Sequence, residues 1–168
     1  MTKLSADAVI IGGGAAGMMC SLVAAQRGLD VILLEPNKML GRKVRITGKG
    51  RCNVTNNCDI KDFLDNIPGD GRFLYSALSK FSPRDTMRFF ESLGLPLKTE
   101  RGNRVFPVSD NANDVAGTLT RNIERSGVQR IRENAEHIIC ENDAVCGVKT
   151  ESGVIEVNTQ AIFRPAEI

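Results

Sequence analysis

A glycine-rich turn between an apolar strand and a helix of small residues constrains this chain most. Residues 12–17 read GGGAAG and follow the apolar run Ala8–Ile11. Gly12, Gly14 and Gly17 occupy the glycine positions of G-x-G-x-x-G. In that pattern the first glycine makes the turn, the second admits a pyrophosphate to the backbone, and the third lets helix and strand pack closely. The pattern predicts a dinucleotide site with its phosphates at the helix N-terminus.

The next strand supplies the acidic residue that such a site needs. Val31–Leu34 is an apolar run, and Glu35 follows it 21 positions after Gly14. A carboxylate at this place accepts hydrogen bonds from the adenosine ribose. It also repels a ribose 2′-phosphate, so we expect the site to disfavour an NADP-type ligand.

The same region could be interpreted as a membrane span, because Ala8–Ala25 contains 18 residues without a charge. Three consecutive glycines in its middle and a start rich in Val and Ile argue against a spanning helix. Residues 1–7 show no basic leader or cleavage-site pattern, so the sequence predicts no secretory signal. We therefore expect a cytoplasmic protein with no membrane partner.

Composition agrees with an ordinary globular protein. Hydrophobic residues make up 42% of the chain and charged residues 25%, and the net charge is +2. This charge does not demand a nucleic-acid partner, and none is expected. The five cysteines form no C-x-x-C pair and there is one histidine, so neither disulfides nor a metal site is predicted.

Beyond residue 56 the pattern changes to helices and then strands. Phe73–Phe81 reads as a short helix, and Ser82 followed by Pro83 marks the start of another that stops at Gly94. Leu95–Val108 suggests a short hairpin. A longer helix follows Asp110 and closes at Gly127, and four strands are then predicted: Val128–Ile131, His137–Cys140, Val145–Thr150 and Val154–Val157.

Five sequence motifs carry a resemblance to a known family. They are D-A-V-I-I-G-G-G-A-A-G-M-M (Asp7–Met19), G-R-K (Gly41–Lys43), T-G-K-G-R-C-N-V-T-N (Thr47–Asn56), F-L-Y-S-A (Phe73–Ala77) and E-R-G-N-R-V-F-P-V-S-D (Glu100–Asp110). On these motifs the chain resembles the BaiN-like family of NAD(P)/FAD-dependent oxidoreductases, whose named activity includes reduction of steroid dienones. The G-R-C-N-x-T-N element is the most specific of them.

The resemblance implies an α/β fold: a three-layer Rossmann-like FAD/NAD(P)-binding domain of the glutathione-reductase type, with a helical insertion and a β-meander. It divides the chain into a dinucleotide-binding part with the flavin loop (1–60), a helical insert (61–127) and strands with the meander (128–160). It implies FAD as the cofactor, NAD(P)H as a candidate electron donor and a small organic molecule, such as an enone or dienone, as substrate.

The resemblance also implies which residues bind FAD. The pyrophosphate is implied to contact Gly12, Gly14, Ala15, Ala16 and Gly17, and the adenosine ribose is implied to contact Glu35. The segment alongside the cofactor supplies Arg42 and Lys43, and the flavin loop supplies Gly50, Arg51, Cys52 and Asn53. Adenine is implied to contact Ala135. No catalytic residue is assigned, and the oligomeric state is not predicted. Cys52 is interpreted as a packing residue and His137 as a surface residue. Arg104, Phe106 and Pro107, in the motif Glu100–Asp110, are interpreted as structural, with a substrate-side role left open.

The chain departs from the family pattern in three places. Lys49 stands where the family usually has glycine, and Arg45 where it commonly has an aliphatic residue. Family members are more than twice as long, and after the meander they return to the nucleotide sheet through a further strand. Ala161–Phe163 begins such a strand, but Arg164 and Pro165 interrupt it. We therefore expect an N-terminal fragment that lacks the returning strand and the substrate domain and is inactive alone.

Three other functions stay open at this point. An NAD-dependent dehydrogenase would share the glycine turn but needs no second glycine-rich loop at 41–56. A flavin-dependent RNA-modifying enzyme is suggested by the basic residues of that loop and a pI near 8.3. The third is a non-catalytic remnant that folds or binds only partially.

Overall fold

The part of the chain that the structure describes contains nine strands and six α-helices. The computed structural model describes the backbone of residues 4–163 and the side chains of residues 4–158. The strands are β1 (Leu4–Ile11), β2 (Val31–Leu34), β3 (Thr55–Asn56), β4 (Leu97–Thr99), β5 (Arg104–Pro107), β6 (Gln129–Ile131), β7 (His137–Glu141), β8 (Ala144–Thr150) and β9 (Gly153–Phe163). The helices are α1 (Ala15–Gln26), α2 (Arg42–Ile46), α3 (Ile60–Asp65), α4 (Tyr75–Lys80), α5 (Pro83–Ser92) and α6 (Ala112–Arg125).

The described residues form two compact units. The first contains residues 4–42 and 119–163, and the second contains residues 43–118. Helix α6 contributes its beginning to the second unit and its end to the first. The division expected from the sequence groups residues by motif, whereas these units group them by spatial contact.

The first unit begins with the predicted strand, turn, helix and strand. β1 and β2 pair in parallel from Ala8↔Val31 to Ile11↔Leu34, and all four residues of β2 are buried. The uncharged stretch considered as a membrane span is divided between β1 and α1, as the glycines indicated. Among the described residues, no helix has the length and apolar character needed to cross a membrane. This architecture confirms the Rossmann-type α/β fold.

One expectation about this sheet is wrong. The sheet has the strand order β6-β2-β1-β9-β8-β7, and β9 is continuous from the meander into the nucleotide sheet. It pairs with β8 on one side and in parallel with β1 on the other, from Leu4↔Ile155 to Ile10↔Phe163. The returning strand is therefore present and β1 is flanked on both sides. The apolar strand pattern in the sequence breaks at residues 158–160, which are polar. The strand nevertheless continues, because the hydrogen bonds between strands join backbone groups and do not require apolar side chains. Arg164 and Pro165 lie outside the described residues.

The core of the first unit joins the parallel strands to the meander. It is a cluster of buried apolar side chains from β1, β2, β8 and β9: Ala6, Val9, Ile32, Leu34, Val148 and Ile155. Helix α1 buries Met18 and Leu22, and its Ser21 Oγ donates a hydrogen bond to the Gly17 carbonyl at 2.8 Å. The hydrogen bond is internal to the helix, and the burial of Gly17 and Ser21 beside Met18 and Leu22 shows that the predicted small-residue face is packed inward.

The second unit has its own three-stranded sheet, in the order β3-β5-β4. β4 and β5 form the predicted hairpin. Helix α5 begins with the predicted cap, where Ser82 and Asp85 form a reciprocal capping box and Pro83 occupies the first turn between them. Helices α2 and α3 were not predicted, because five and six residues are too few for a periodic apolar pattern to be recognised.

Candidate functional site

The three glycines of the G-x-G-x-x-G pattern, Gly12, Gly14 and Gly17, have three different structural roles. Gly12 has φ of +98°, a left-handed conformation that makes the sharp turn out of β1. A Cβ atom at Gly17 would lie 1.9 Å from the Gly12 carbonyl oxygen, so only glycine allows α1 to approach the strand this closely. At Gly14 an added Cβ would meet no atom within 4 Å. The first and third glycines thus serve the fold, while the second borders open space.

The open space lies at the start of α1. Gly14 is the N-cap of this helix, no side chain among the described residues caps it, and the first turn contains no acidic residue. Gly14, Ala15 and Ala16 are exposed. The first-turn N–H groups of a helix have no intrahelical partner, and the helix dipole places partial positive charge there. A pyrophosphate therefore fits these residues, because glycine and alanine leave room for it and no carboxylate repels it.

Glu35 is fastened to the glycine turn. Its Oε2 accepts a hydrogen bond from the Gly13 N–H at 2.8 Å, and its Oε1 accepts from the Asn37 backbone N–H at 2.9 Å and from Asn37 Nδ2 at 2.6 Å. Burial by itself would raise the pKa of Glu35, but the hydrogen bonds from Asn37 and Gly13 and the charge of Arg130 lower it. An ionised carboxylate has about four lone-pair sites, so acceptor sites remain for ribose hydroxyls.

Three residues around Glu35 escaped the sequence analysis. Gly13 has no room for a side chain, since a Cβ would lie 2.4 Å from Leu40 Cδ2. Asn37 accepts a hydrogen bond from Arg42 Nη1 at 2.8 Å. Arg130, on β6, donates from Nη2 to the carbonyls of residues 37 and 38. Gly13 was recognisable as the middle of three glycines, but nothing in the sequence joins Asn37 to a residue 93 positions away.

Ala135 borders a small cleft. The cleft has a volume of about 90 Å³ and is lined by Ile11, Ala135, Glu136, His137 and Ile138. Ala135 also packs against the apolar cluster of the sheet. The assignment of Ala135 to adenine stays a prediction. His137 is exposed at the start of β7, which agrees with its interpretation as a surface residue.

The glycine-rich loop of the second unit has an unusual backbone. Gly48, Lys49 and Gly50 are consecutive residues with φ of +56°, +56° and +84°, and Cys52 has φ of +60°. The left-handed conformation costs a residue with a Cβ atom roughly 1–2 kcal/mol. Lys49 therefore has a backbone conformation that favours glycine, and glycine is the residue that the family usually has at this position.

The side chain of Arg51 is held by ion pairs and an aromatic ring. Its Nη2 lies 2.5 Å from Glu100 Oε1 and 2.5 Å from Asp110 Oδ1, and its Nε donates to Asp110 Oδ1 at 2.9 Å. Its guanidinium lies 4.2 Å from the ring centroid of Phe106. Lys98 completes the group, with Nζ 2.5 Å from Asp110 Oδ2. We call these four charged residues and Phe106 the Arg51 network.

Cys52 has the properties of a packing residue. It is buried, and burial raises the pKa of its thiol more than the hydrogen bond with Thr47 lowers it. A raised pKa disfavours the thiolate, which is the reactive form in redox and nucleophilic chemistry. Within the described residues, no group of three or more His, Cys, Asp or Glu side chains could hold a metal ion.

The structure brings part of the predicted site together. The first unit contains the glycine turn, Glu35, Arg42 and Ala135. Glu35 contacts the turn directly, and Arg42 is linked to Glu35 through Asn37. Lys43 and the flavin loop belong to the second unit. Lys43 and Asn53 are exposed there, and Gly50 and Arg51 are half-buried.

Comparison with known proteins agrees with this geometry. A family model described as the HI0933-like protein Rossmann domain matches residues 6–163. A 3-dehydro-bile acid delta(4,6)-reductase from Clostridium scindens is 38% identical over 122 residues, covering 71% of this chain and 29% of that protein. A ribosomal RNA dihydrouridine synthase from Escherichia coli is 35% identical over 123 residues, covering 73% of this chain and 30% of that protein. The chain thus spans about 30% of the length of these relatives.

Solved structures show the same fold. The chain matches the crystal structure of a 3-ketosteroid-delta4-(5alpha)-dehydrogenase from Rhodococcus jostii with a TM-score of 0.73 over 96% of this chain and 45% of that one. The two are 15% identical, so this likeness concerns the fold alone.

Proposed function

The chain belongs to the HI0933-like Rossmann domain family of FAD-dependent oxidoreductases, and on that premise we propose that it binds FAD for hydride transfer to a small organic molecule. The observation that carries the proposal is the open start of α1 beside a fastened Glu35. Gly14 leaves space for a pyrophosphate, and Glu35 lies within hydrogen-bond distance of the same turn. The NAD-dependent dehydrogenase alternative loses support, because the family match includes the second glycine-rich loop.

In this proposal the chain's residues bind and orient the cofactor. The N–H groups of the first turn of α1, at Ala15, Ala16 and Gly17, bind the pyrophosphate. Glu35 accepts hydrogen bonds from the adenosine ribose, and Arg42 contributes positive charge near the phosphates. The loop from Gly50 to Asn53 approaches the flavin ring through its backbone, where glycine permits close contact.

FAD, when bound, supplies the hydride chemistry itself, while the protein positions and tunes it. We propose no general acid or base in this chain. The thiol of Cys52 is buried with a raised pKa, and His137 is an exposed residue of β7. NAD(P)H is proposed as the electron donor.

For the substrate we propose a carbon–carbon double bond conjugated to a carbonyl group. The bile-acid relative is named for reduction of such double bonds in a dienone. The ring double bond that uridine has and dihydrouridine lacks is also conjugated to a carbonyl. The two relatives therefore share one reaction class, although one substrate is a small lipid-like molecule and the other an RNA base.

RNA modification is the second candidate function, and the 35% identical dihydrouridine synthase is the observation that favours it. That relative also leaves the expectation of no nucleic-acid partner unsettled. Binding to an RNA backbone should weaken steeply with salt, because each neutralised phosphate releases counterions. Steroid enone binding should depend little on salt, so titrating both ligands at two salt concentrations separates the candidates.

Cofactor binding is tested with Glu35→Gln. We expect the purified protein to bind FAD and ADP, and the variant to bind both about 5- to 150-fold more weakly, the range for loss of a charged hydrogen-bond partner. Glu151→Gln, at an exposed turn of the same unit, is the matched control and should bind as the unaltered chain does. Equal affinity of the Glu35 and Glu151 variants by calorimetry would refute the ribose assignment.

The electron donor needs its own assay. NAD(P)H oxidation by the protein with added FAD and a steroid enone is compared with the same mixture lacking protein. Saturable turnover above free FAD would support the donor and the reaction class together. Such turnover would also contradict our expectation that the 168-residue chain alone is inactive, so the donor is tested separately by whether NADH or NADPH bleaches the protein-bound flavin without substrate.

A further inference from the structure

We propose that Arg51 is a positioning residue: it fixes the conformation of the loop Gly48–Asn53 through Glu100, Asp110 and Phe106, and does not bind the cofactor with its side chain. The inference rests on the proposed function for what the loop contacts. It concerns the second unit only.

The first argument is the occupancy of the guanidinium. Arginine has five N–H donors in a planar fork. Nε and Nη2 of Arg51 already point to Asp110 and Glu100, and the guanidinium lies over the Phe106 ring at 4.2 Å. A phosphate that bound through Nε or Nη2 would have to displace carboxylates that lie 2.5–2.9 Å away. The hydrogen bonds that Arg51 donates to Glu100 and Asp110 also raise its pKa, so it stays charged and paired.

The second argument is the balance of charge. Arg51 and Lys98 face Glu100 and Asp110, so the four side chains sum to no net charge. Lys98 Nζ lies 2.5 Å from Asp110 Oδ2 and 3.5 Å from Glu100 Oε1, which closes the group. Arg104 lies near the same ring, 5.9 Å from the Phe106 centroid, but Arg51 and Lys98 are paired within the group, and paired charges attract an anion poorly. The four paired side chains are therefore better suited to connecting segments of the chain than to binding an anionic ligand.

The third argument is what the network connects. Arg51 lies within the loop, whereas Glu100 and Asp110 are 49 and 59 residues away, at either end of the segment that contains the β5 strand. Phe106 lies on β5, and its Cε1 would be 3.7 Å from a Cβ at Gly48. The network therefore joins Arg51 to β5 through Phe106 and to both ends of the segment around it through Glu100 and Asp110, and Phe106 also borders Gly48.

The loop needs this connection because its backbone is otherwise unfavourable. Gly48, Lys49, Gly50 and Cys52 all have positive φ, and two of them carry a Cβ atom. Such conformations persist only where the surroundings impose them. Two hydrogen bonds inside the loop contribute, from Arg51 N–H to the Gly48 carbonyl at 3.2 Å and from Cys52 N–H to the Thr47 carbonyl at 3.1 Å. The Arg51 side chain adds the long-range constraint that these local bonds lack.

The network also accounts for two motifs of the sequence at once. Arg51 belongs to the G-R-C-N-x-T-N element, while Glu100, Phe106 and Asp110 belong to the E-R-G-N-R-V-F-P-V-S-D element. The structure assigns the arginine of one motif and the two acids and phenylalanine of the other to a single contact group.

A double-mutant cycle on FAD affinity tests the proposal. The variants are Arg51→Met, the pair Glu100→Gln with Asp110→Asn, and all three together. We expect Arg51→Met and the acid pair each to weaken FAD binding roughly 5-fold or more, and the triple variant to be no weaker than either, because coupled residues are not additive. ADP affinity should change less than about 2-fold, since ADP lacks the flavin. Arg72→Met, which breaks an exposed pair with Asp70 in the same unit, is the control.

Two results would overturn the inference while leaving FAD binding intact. One is normal or tighter FAD binding by the acid pair alongside weakened binding by Arg51→Met, which is the signature of a direct contact between Arg51 and the cofactor. The other is an equal loss of ADP and FAD affinity, which indicates general damage.

A readout without cofactor separates this inference from the proposed function. Amide hydrogen exchange of residues 48–53 in the cofactor-free protein should be faster in Arg51→Met than in the unaltered chain or in Arg72→Met. Unchanged exchange would refute the positioning role even if FAD binding failed altogether. If Arg51→Met does not fold, Glu100→Gln alone, which keeps the side-chain size, gives the same comparison.

Discussion

Replacing Gly17 by alanine should damage the fold, whereas the same replacement at Gly14 should damage only ligand binding. Both residues belong to one glycine motif and both substitutions add one methyl group. At Gly17 the new Cβ would lie 1.9 Å from the Gly12 carbonyl oxygen and 3.1 Å from its carbon. At Gly14 it would meet nothing within 4 Å, and the φ of −75° is one that alanine adopts freely.

The size of the Gly17 effect follows from this geometry. Real Cβ atoms essentially never approach another atom within 3.0 Å, so the contact must lengthen by about 1 Å or more. The obstacle is backbone, and backbone cannot rotate away as a side chain can. Overpacking of this kind costs about 1–3 kcal/mol, and we expect the upper end. For a chain of this size, about 3 kcal/mol lowers the melting temperature by roughly 6–12 °C.

The Gly14 variant has the opposite profile. Alanine in place of glycine narrows the unfolded ensemble, which stabilises the fold by up to about 1 kcal/mol, but alanine is a poorer N-cap than glycine by a similar amount, so the free energy of unfolding should change little. Its methyl group would project into the space proposed for the pyrophosphate. We therefore expect weaker binding of ADP and FAD in a protein that melts normally.

Thermal melts followed by circular dichroism and ADP titrations by calorimetry measure the two effects independently. An unchanged melting temperature for Gly17→Ala would refute the packing role of the third glycine. Normal ADP affinity of Gly14→Ala would show that the open space at the start of α1 is not the phosphate site.

Two further predictions concern the second unit. Lys49→Gly should raise the free energy of unfolding by about 0.5–1 kcal/mol, because it removes the cost of about 1–2 kcal/mol for a left-handed residue with a Cβ atom and adds the entropy cost of glycine. Urea melts measure this change against the control Lys80→Gly, at the end of α4. If Lys49→Gly were as destabilised as Lys80→Gly, the prediction would be contradicted. Acid should loosen the loop at 48–53, because hydrogen bonds from Lys98 and Arg51 lower the pKa of Asp110, and one from Arg51 lowers that of Glu100. A carboxylate whose folded pKa is depressed stabilises the fold above its unfolded pKa of about 4, and that contribution is lost as pH falls through the lower folded value. Amide exchange of the loop, corrected for intrinsic rate, should therefore accelerate below about pH 4. The acceleration should be smaller in the variant that carries both Glu100→Gln and Asp110→Asn. If the unaltered chain and this variant showed the same acid dependence, the Arg51 network would not be what stabilises the loop.

Local patterns in the sequence predicted much of the first unit. The apolar run, the glycine spacing and the acid after the second strand are local features, and each constrains residues close to it in the chain. Val31–Leu34 was predicted with the bounds that β2 has, and the capping signal at Ser82 and Pro83 marked the start of α5. Such signals can be recognised because turn, helix and strand geometry depend on neighbouring residues.

The course of β9 could not be predicted in this way. Its central residues are polar, so the periodic apolar signal stops where the strand continues. The strand exists because β1 offers it a row of backbone partners, and those partners lie some 150 positions earlier. Pairing between distant segments is decided by the whole sheet, which the sequence of one strand does not describe.

The sequence by itself determined that this chain folds around a dinucleotide-type glycine turn, and which residues compose it. Only the tertiary structure decided which partners these residues contact. Gly13 and Asn37 donate hydrogen bonds to Glu35, and Arg130 donates to the backbone of the segment that follows Glu35. Arg51 forms ion pairs with acidic residues far along the chain. The physical reason is that side-chain hydrogen bonds and ion pairs act over a few ångströms in space. Residue identity fixes what each group can donate or accept, and the fold chooses its partner.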